Sequence, residues 1–308
     1  MTIVIAGNTG LVGSAIYRLL QSKGESVIGV NRKVVDLLDR RETFEFMQDV
    51  RPIAVIDSAA IVGGIGANNT YPVDFLSENL QIQTNLMDAA HAADVERFIF
   101  LGSSCIYPRE CPQPMREEHL MAGPLEKTNS AYAVAKISGI ELINSYRKQF
   151  NRRWISLMPT NIYGPNDNFH LEKAHVFPAF INKFVSASEQ GLSEVVLWGS
   201  GGAKREFLHS RDLAAATLFA LENYDGSLHL NIGTGDEVSI RELAELVAEL
   251  AGYKGKLVWD SSKPDGTPRK LLDVSRINNL GWSYEITLSD GIRDVIKWFK
   301  ENREKARQ

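Results

Sequence analysis

Tyr132 and Lys136 stand four apart in "SAYAVAKISGIELINSYRKQF", a stretch of good helical composition, so their side chains fall on one helix face. A phenol, with an ordinary pKa of about 10, is a poor proton donor near neutrality. A nearby ammonium lowers that pKa and makes it a better one. Ser103, in "GSSCIYP", follows the apolar run "RFIFL", and a hydroxyl there can hold a carbonyl oxygen to which Tyr132 donates. The same heptapeptide carries a thiol. If strand geometry persists through "GSSC", residues 103 and 105 share a face, which sets Cys105 beside carbons whose C–H bonds the carbonyl acidifies. With a cation or a helix terminus to stabilise its thiolate, Cys105 is a base. His175, just before a helix-like stretch in "EKAHVFPAFINKF", is then the acid on the opposite side. Taken singly, each has a plainer reading, Cys105 as inert packing and His175 as a structural hydrogen-bonder.

These groups need a scaffold. "GNTGLVG" places Gly7, Gly10 and Gly13 where the apolar run "TIVIA" turns into the helically spaced "GLVGSAIYRLLQSKG". A pyrophosphate needs that arrangement, because side chains there block its approach to the N–H groups at the positive end of the helix. The spacing is G-x-x-G-x-x-G, and its place after the first strand of a βαβ pattern points to dinucleotide binding. At the end of the second strand, "VNRK" offers Asn31, Arg32 and Lys33 and no acidic residue. A guanidinium there favours NADP(H) by bonding a 2′-phosphate. Further buried-strand runs, "SVIGV", "IAVID", "RFIFL" and "WISLM", alternate with helical segments such as "RRETFEFMQDV". That alternation predicts an α/β fold with a doubly wound parallel sheet. Near "MPTNIYGPNDNF" the pattern breaks, and "GSLHLNIGT" reads as one more sheet strand, followed by a helix from Ser239 to Ala251. The expected division is a dinucleotide-binding domain over 1–162 and 206–234 and a smaller, mixed substrate domain over 163–205 and 235–308.

Composition narrows the partners. A chain of 308 residues, 44% hydrophobic, can bury a sizeable core, and a net charge of -4 supplies no basic excess to follow a nucleic acid or an anionic membrane. "MTIVIAG" lacks a basic segment leading into a long apolar stretch, and no run approaches a membrane span, so a cytoplasmic location is expected. Two cysteines, Cys105 and Cys111, are too few for a disulfide framework, and no His/Cys cluster has metal-ligand spacing, so no metal is expected.

The glycine loop, the serine and the Tyr-x-x-x-Lys pair together resemble the extended short-chain dehydrogenase/reductase superfamily. Longer strings, "GSSCIYP", "PTNIYGPNDNF", "HVFPA", "WGSGGAKREFLH" and "KPDGTPRKLLDVSR", resemble the GDP-L-fucose synthase family within it. The resemblance implies a bifunctional epimerase-reductase acting on GDP-4-keto-6-deoxy-D-mannose: epimerisation at both carbons flanking the ketone, then NADPH-dependent reduction of the ketone. Residue by residue, it makes Cys105 and His175 the epimerisation base and acid, and Ser103, Tyr132 and Lys136 the reductive set, with Lys136 also on the nicotinamide ribose. Cofactor contacts implied are the glycine loop, where Asn8, Thr9, Leu11 and Val12 lie among the glycines, and Arg32. Further along they are Leu101 and Gly102, then Pro159, Asn161 and Ile162, with Lys136 and His175. Substrate contacts fall on Lys183, Trp198, Arg205 and Asp265, whose types suit a diphosphate, an apolar wall and sugar or base hydrogen bonds. Where the family often carries a basic residue inside the glycine loop this chain has Asn8 and Thr9, which leaves Arg32 for the 2′-phosphate.

Relatives acting on GDP-linked heptoses or other 4-keto sugars fit the same strings. A single-step 4-epimerase has no use for the thiol, and a 4,6-dehydratase puts an Asp-Glu pair where this chain has "SSC". A non-catalytic NADP-sensing protein is expected to lose the Tyr-x-x-x-Lys pair. Helices near 75–93 and 129–150 suit the four-helix packing common in the superfamily, which implies a homodimer.

Overall fold

Short runs of apolar, β-branched residues that are buried on both faces need helices on both sides, and this requirement organises the first half of the chain. The computed structural model describes residues 2–170, 174–263 and 265–306. Its main sheet holds β1 (Thr2–Ala6), β2 (Ser26–Val30), β3 (Ala54–Asp57), β4 (Arg97–Leu101), β5 (Ile155–Pro159) and, after four short strands, β10 (Leu230–Ile232). The order is β10-β5-β4-β3-β1-β2 and every pairing is parallel. This is the doubly wound sheet expected from the alternation.

Helices α1 (Leu11–Ser22) and α7 (Ser210–Asn223) contact each other, as do α4 (Pro72–Ala92) and its neighbours α2 (Arg40–Val50) and α5 (Ser130–Phe150). The short α3 (Ile65–Thr70) leads into α4. Local chemistry sets the ends. Asp39 accepts the N–H of Glu42 at 3.0 Å to start α2, a cap that contributes about 1 kcal/mol. The buried Arg97 donates at 2.8 Å to the carbonyls of both Leu221 and Tyr224, satisfying the end of α7 and tying it to β4.

The remaining elements mostly surround a second apolar cluster. They are β6 (Asn161–Tyr163), α6 (Val176–Gln190), β7 (Glu194–Trp198), β8 (Lys204–Arg205), β9 (Phe207–His209), β11 (Val238–Ser239), α8 (Ile240–Leu250), β12 (Lys256–Asp260), β13 (Arg269–Lys270), α9 (Ser275–Asn279) and α10 (Leu288–Asn302). Phe177, Phe180 and Phe184 of α6 meet Leu243 and Val247 of α8 and Phe299 of α10 there, while α9 and β10 belong to the first cluster. Glu206 gathers three separate chain segments. Fully buried, it accepts the N–H groups of Gly235 at 2.8 Å and Leu272 at 3.0 Å, and its own carbonyl takes the Asn161 amide at 2.8 Å.

Candidate active site

The three glycines of the first turn have different reasons to be glycine. Gly7 has φ +81°, and a Cβ there meets the backbone of Ser58 and Ala59 at 2.9 Å. A Cβ on Gly13 meets the Gly7 carbonyl oxygen at 2.3 Å. Gly10 is constrained by neither: its φ of -79° suits any residue, and its only near atom is that same oxygen at 3.4 Å. The N-terminus of α1 has no side-chain cap, so its first N–H groups are left for a ligand. A cradle that a Cβ at Gly10 would fill fits a pyrophosphate. Gly10→Ala is therefore expected to unfold within about 0.5 kcal/mol of the parent and to lose about tenfold or more in dinucleotide affinity. Gly13→Ala is expected to cost roughly 1–3 kcal/mol of stability by overpacking. Thermal unfolding and a cofactor titration of the two variants separate these effects.

Asn8 is used locally: its side-chain oxygen accepts from Asn31 at 3.3 Å, closing the glycine turn onto the end of β2. Arg32 projects there into solvent, 3.4 Å from Glu78. Leu101 and Gly102 close β4, with the Gly102 N–H on the Leu157 carbonyl at 2.8 Å. Pro159, Asn161 and Ile162 end β5 and begin β6 beside Glu206.

Strand geometry does not persist through "GSSC", which corrects the sequence expectation. Ser103 is still extended, with φ -161° and ψ 150°, but Ser104–Ile106 form a 3-10 turn. The cause is Ser103 itself, whose hydroxyl accepts the Cys105 N–H at 3.3 Å and offers the backbone an alternative to the ladder. The turn still brings thiol and hydroxyl near each other, and the Ser103 side chain favours the thiolate.

Helix α5 carries Tyr132 and Lys136 to the same place. Gly139 allows its close approach, because a Cβ there overlaps the Phe100 ring at 2.3 Å. Lys136 is buried, with Nζ 2.9 Å from the Leu101 carbonyl, 4.7 Å from the centre of the Phe100 ring and 5.8 Å from that of Tyr132. Phe75 of α4 fixes the Tyr132 ring edge-on at 6.3 Å. Here a second expectation changes. Burial pushes the phenol well above its ordinary value, the negative forms of Cys105 and Asp57 push it further, and Lys136 does not offset them. The ammonium is engaged by a carbonyl and an aromatic face instead.

His175 precedes the first turn of α6 and is exposed, yet enough protein surrounds it that desolvation pulls the imidazole down, helped by Lys270. Cys105 is pushed the opposite way by burial, opposed by Ser103, Lys270 and Lys136. The free protein thus favours a thiol and a neutral imidazole, and the field of Lys270 reaches both. Sequence reasoning missed Lys270. It lies on a two-residue strand beside Arg205 in register, with no periodicity to mark it.

The four expected substrate residues cluster around the end of β7. Lys183 donates to the Val196 carbonyl at 3.2 Å, and Trp198 is 62% exposed with the Lys263 ammonium 5.6 Å from its ring centre. Asp265 is held by the Ser200 N–H at 2.6 Å and hydroxyl at 2.8 Å, bonds that keep its carboxyl below the ordinary range, with Arg205 adding to this. Desolvation pulls the Arg205 guanidinium down and Asp265 opposes it.

A parallel doubly wound sheet with an uncapped glycine turn after its first strand defines a dinucleotide-binding α/β protein. The chain belongs to the NAD dependent epimerase/dehydratase family, whose sequence pattern matches residues 3–233. It is 52% identical over 301 residues to a putative GDP-L-fucose synthase 2 of Arabidopsis thaliana, covering 97% of this chain and 92% of that one. It is 49% identical over 315 residues to the GDP-L-fucose synthase of Escherichia coli strain K12, covering 99% and 98%. Among solved structures, a GDP-L-fucose synthetase from Naegleria fowleri bound to NADP superposes with a TM-score of 0.92 at 29% identity, covering 100% of this chain and 96% of that one.

Proposed function

We propose that this chain is an NADP(H)-dependent GDP-L-fucose synthase that epimerises both carbons beside the ketone of GDP-4-keto-6-deoxy-D-mannose and then reduces that ketone. One observation supports the epimerase half: Cys105 lies two residues beyond Ser103, its N–H on that hydroxyl at 3.3 Å, in a turn packed against the helix that carries Tyr132 and Lys136. NADPH, held by the Gly7–Gly13 turn, by Arg32 toward its 2′-phosphate and by Lys136, supplies the hydride for the reduction.

The chain's own groups move the protons. Ser103 holds the ketone oxygen, which acidifies the neighbouring C–H bonds. Cys105, as thiolate, removes a proton from one face of such a carbon, and the His175 imidazolium returns one to the other face, inverting the centre. Lys270 favours the thiolate this needs. Tyr132 later gives its phenolic proton to the alkoxide oxygen. Lys183 and Arg205 take the diphosphate, Trp198 forms an apolar wall and Asp265 accepts hydrogen bonds from the substrate. Epimerisation precedes reduction, because the acidity of both carbons vanishes with the ketone.

Incubation with GDP-4-keto-6-deoxy-D-mannose and NADPH is expected to consume NADPH and yield GDP-L-fucose, identified by chromatography and NMR. Consumption giving an unepimerised sugar rejects the epimerase half. A homodimer through α4 and α5, whose surfaces leave Val73 and Val134 exposed, and a cytoplasmic location complete the proposal. Among the described residues no helix is long and apolar enough to cross a membrane.

A further inference from the structure

Asp57, the last residue of β3, is 1% exposed. Its Oδ1 accepts the Ala59 N–H at 3.0 Å, a turn contact that an asparagine makes equally well. Its Oδ2 is buried and has no hydrogen-bond partner among the described residues. A naked carboxylate oxygen in a protein interior is costly unless a cation faces it. In register, Asp57 pairs with Phe100, whose ring lies 4.7 Å from the Lys136 ammonium, and the adjacent Leu101 carbonyl takes that ammonium's hydrogen bond.

Lys136 has the complementary need. Its only described hydrogen bond goes to a neutral carbonyl and its other close neighbours are aromatic faces, surroundings in which an ammonium tends to shed its proton. The groups acting on it are Asp57 from β3 and Cys105 from the turn after β4, and only a carboxylate is charged near neutrality. Among the described residues Lys136 is the one charged group acting on Asp57, whose own field also reaches the Tyr132 phenol from α5.

We propose that Asp57 is a positioning residue for the reduction, its carboxylate serving as the buried counter-charge that keeps Lys136 an ammonium beside Tyr132 and the cofactor site. The role of Lys136 rests on the function proposed above; the pairing of the two charges does not. Burial lifts the Asp57 carboxyl to about 6 while Lys136 holds it down, so above that range Asp57 carries its charge. The consequence appears on the alkaline side. At low pH Lys136 keeps its proton whatever Asp57 does, whereas at high pH the counter-charge delays its loss.

Two measurements test this. In Asp57→Asn the alkaline limb of ketone reduction is expected to move toward neutrality by about one pH unit or more, with rates near pH 6 little changed. A rate lowered by the same factor at every pH identifies a merely structural role and overturns the proposal. The second measurement needs neither substrate nor turnover. The Asp57 carboxyl, followed by isotope-edited infrared titration, is expected to shift upward by about a unit or more in Lys136→Met, because coupling between two sites is reciprocal. An unchanged midpoint overturns the pairing even if Asp57→Asn fails to fold. A shifted midpoint in a protein that reduces no keto sugar supports the pairing and counts against the proposed function instead.

Discussion

Cys105→Ala, incubated in heavy water with NADP+ and the keto sugar, is expected to incorporate deuterium beside the ketone about 10²-fold or more slowly than the parent, the size of effect that removing a general base has. Using NADP+ leaves the cofactor site filled while the ketone survives, so exchange reads proton abstraction alone. Burial holds the Cys105 thiol protonated near neutrality, and Ser103 and Lys270 pull the other way. Exchange by the parent should therefore rise with pH as the thiolate forms. Cys105→Ala should bind cofactor normally, since the side chain belongs to the 3-10 turn at Ser104–Ile106 and not to the glycine turn. With NADPH, its residual product should be an unepimerised sugar. Exchange at the parent rate in this variant removes the thiol from the mechanism.

Tyr132→Phe should behave in the opposite way. The phenylalanine ring keeps the edge-on contact with Phe75, so the walls of the site stay in place and only a hydroxyl is lost. Deuterium exchange should persist within a few-fold of the parent, while NADPH consumption falls by about 10²–10⁴-fold for want of the proton donor. Because burial already pushes this phenol above its ordinary value, it is a reluctant acid in the free protein, and the reduction of the parent should not be accelerated by raising the pH. Equal loss of exchange and reduction in Tyr132→Phe means that the hydroxyl organises the whole site and is not the specific donor. The two variants together test whether the two chemistries separate.

Periodicity carried the sheet: runs such as "RFIFL" and "TIVIA" become β4 and β1 because uninterrupted apolar residues have no solvent face to offer. The Tyr132–Lys136 spacing was likewise legible, since one helix turn fixes it. What escaped was set by single polar atoms and by distant chain segments. The Ser103 hydroxyl ends the strand, which alternation cannot foresee. Lys270 and Arg205 meet through paired strands of two residues, too short for any pattern. Asp57 looked like the end of one more buried strand, and its relation to Lys136 exists only because β3, β4 and α5 stack. Lys136 was found, but its bond to the Leu101 carbonyl was not, because nothing in its sequence neighbourhood points to β4.

The two apolar clusters bear unequally on the two chemistries. Ser103, Tyr132 and Lys136 all hang from the sheet side, whereas His175 rides on α6, whose phenylalanines are embedded in the other cluster. On the roles proposed above, the proton donor for reduction sits on one body while the residues that hold the sugar sit on the other, and inversion needs His175 from that second body as well. Loosening the seat of α6, by denaturant well below unfolding, should slow inversion more than NADPH turnover, because the returning proton is misplaced. The handedness of the sugar released then becomes a gauge of how firmly the two halves are seated, readable in the product long before any spectroscopic sign of unfolding.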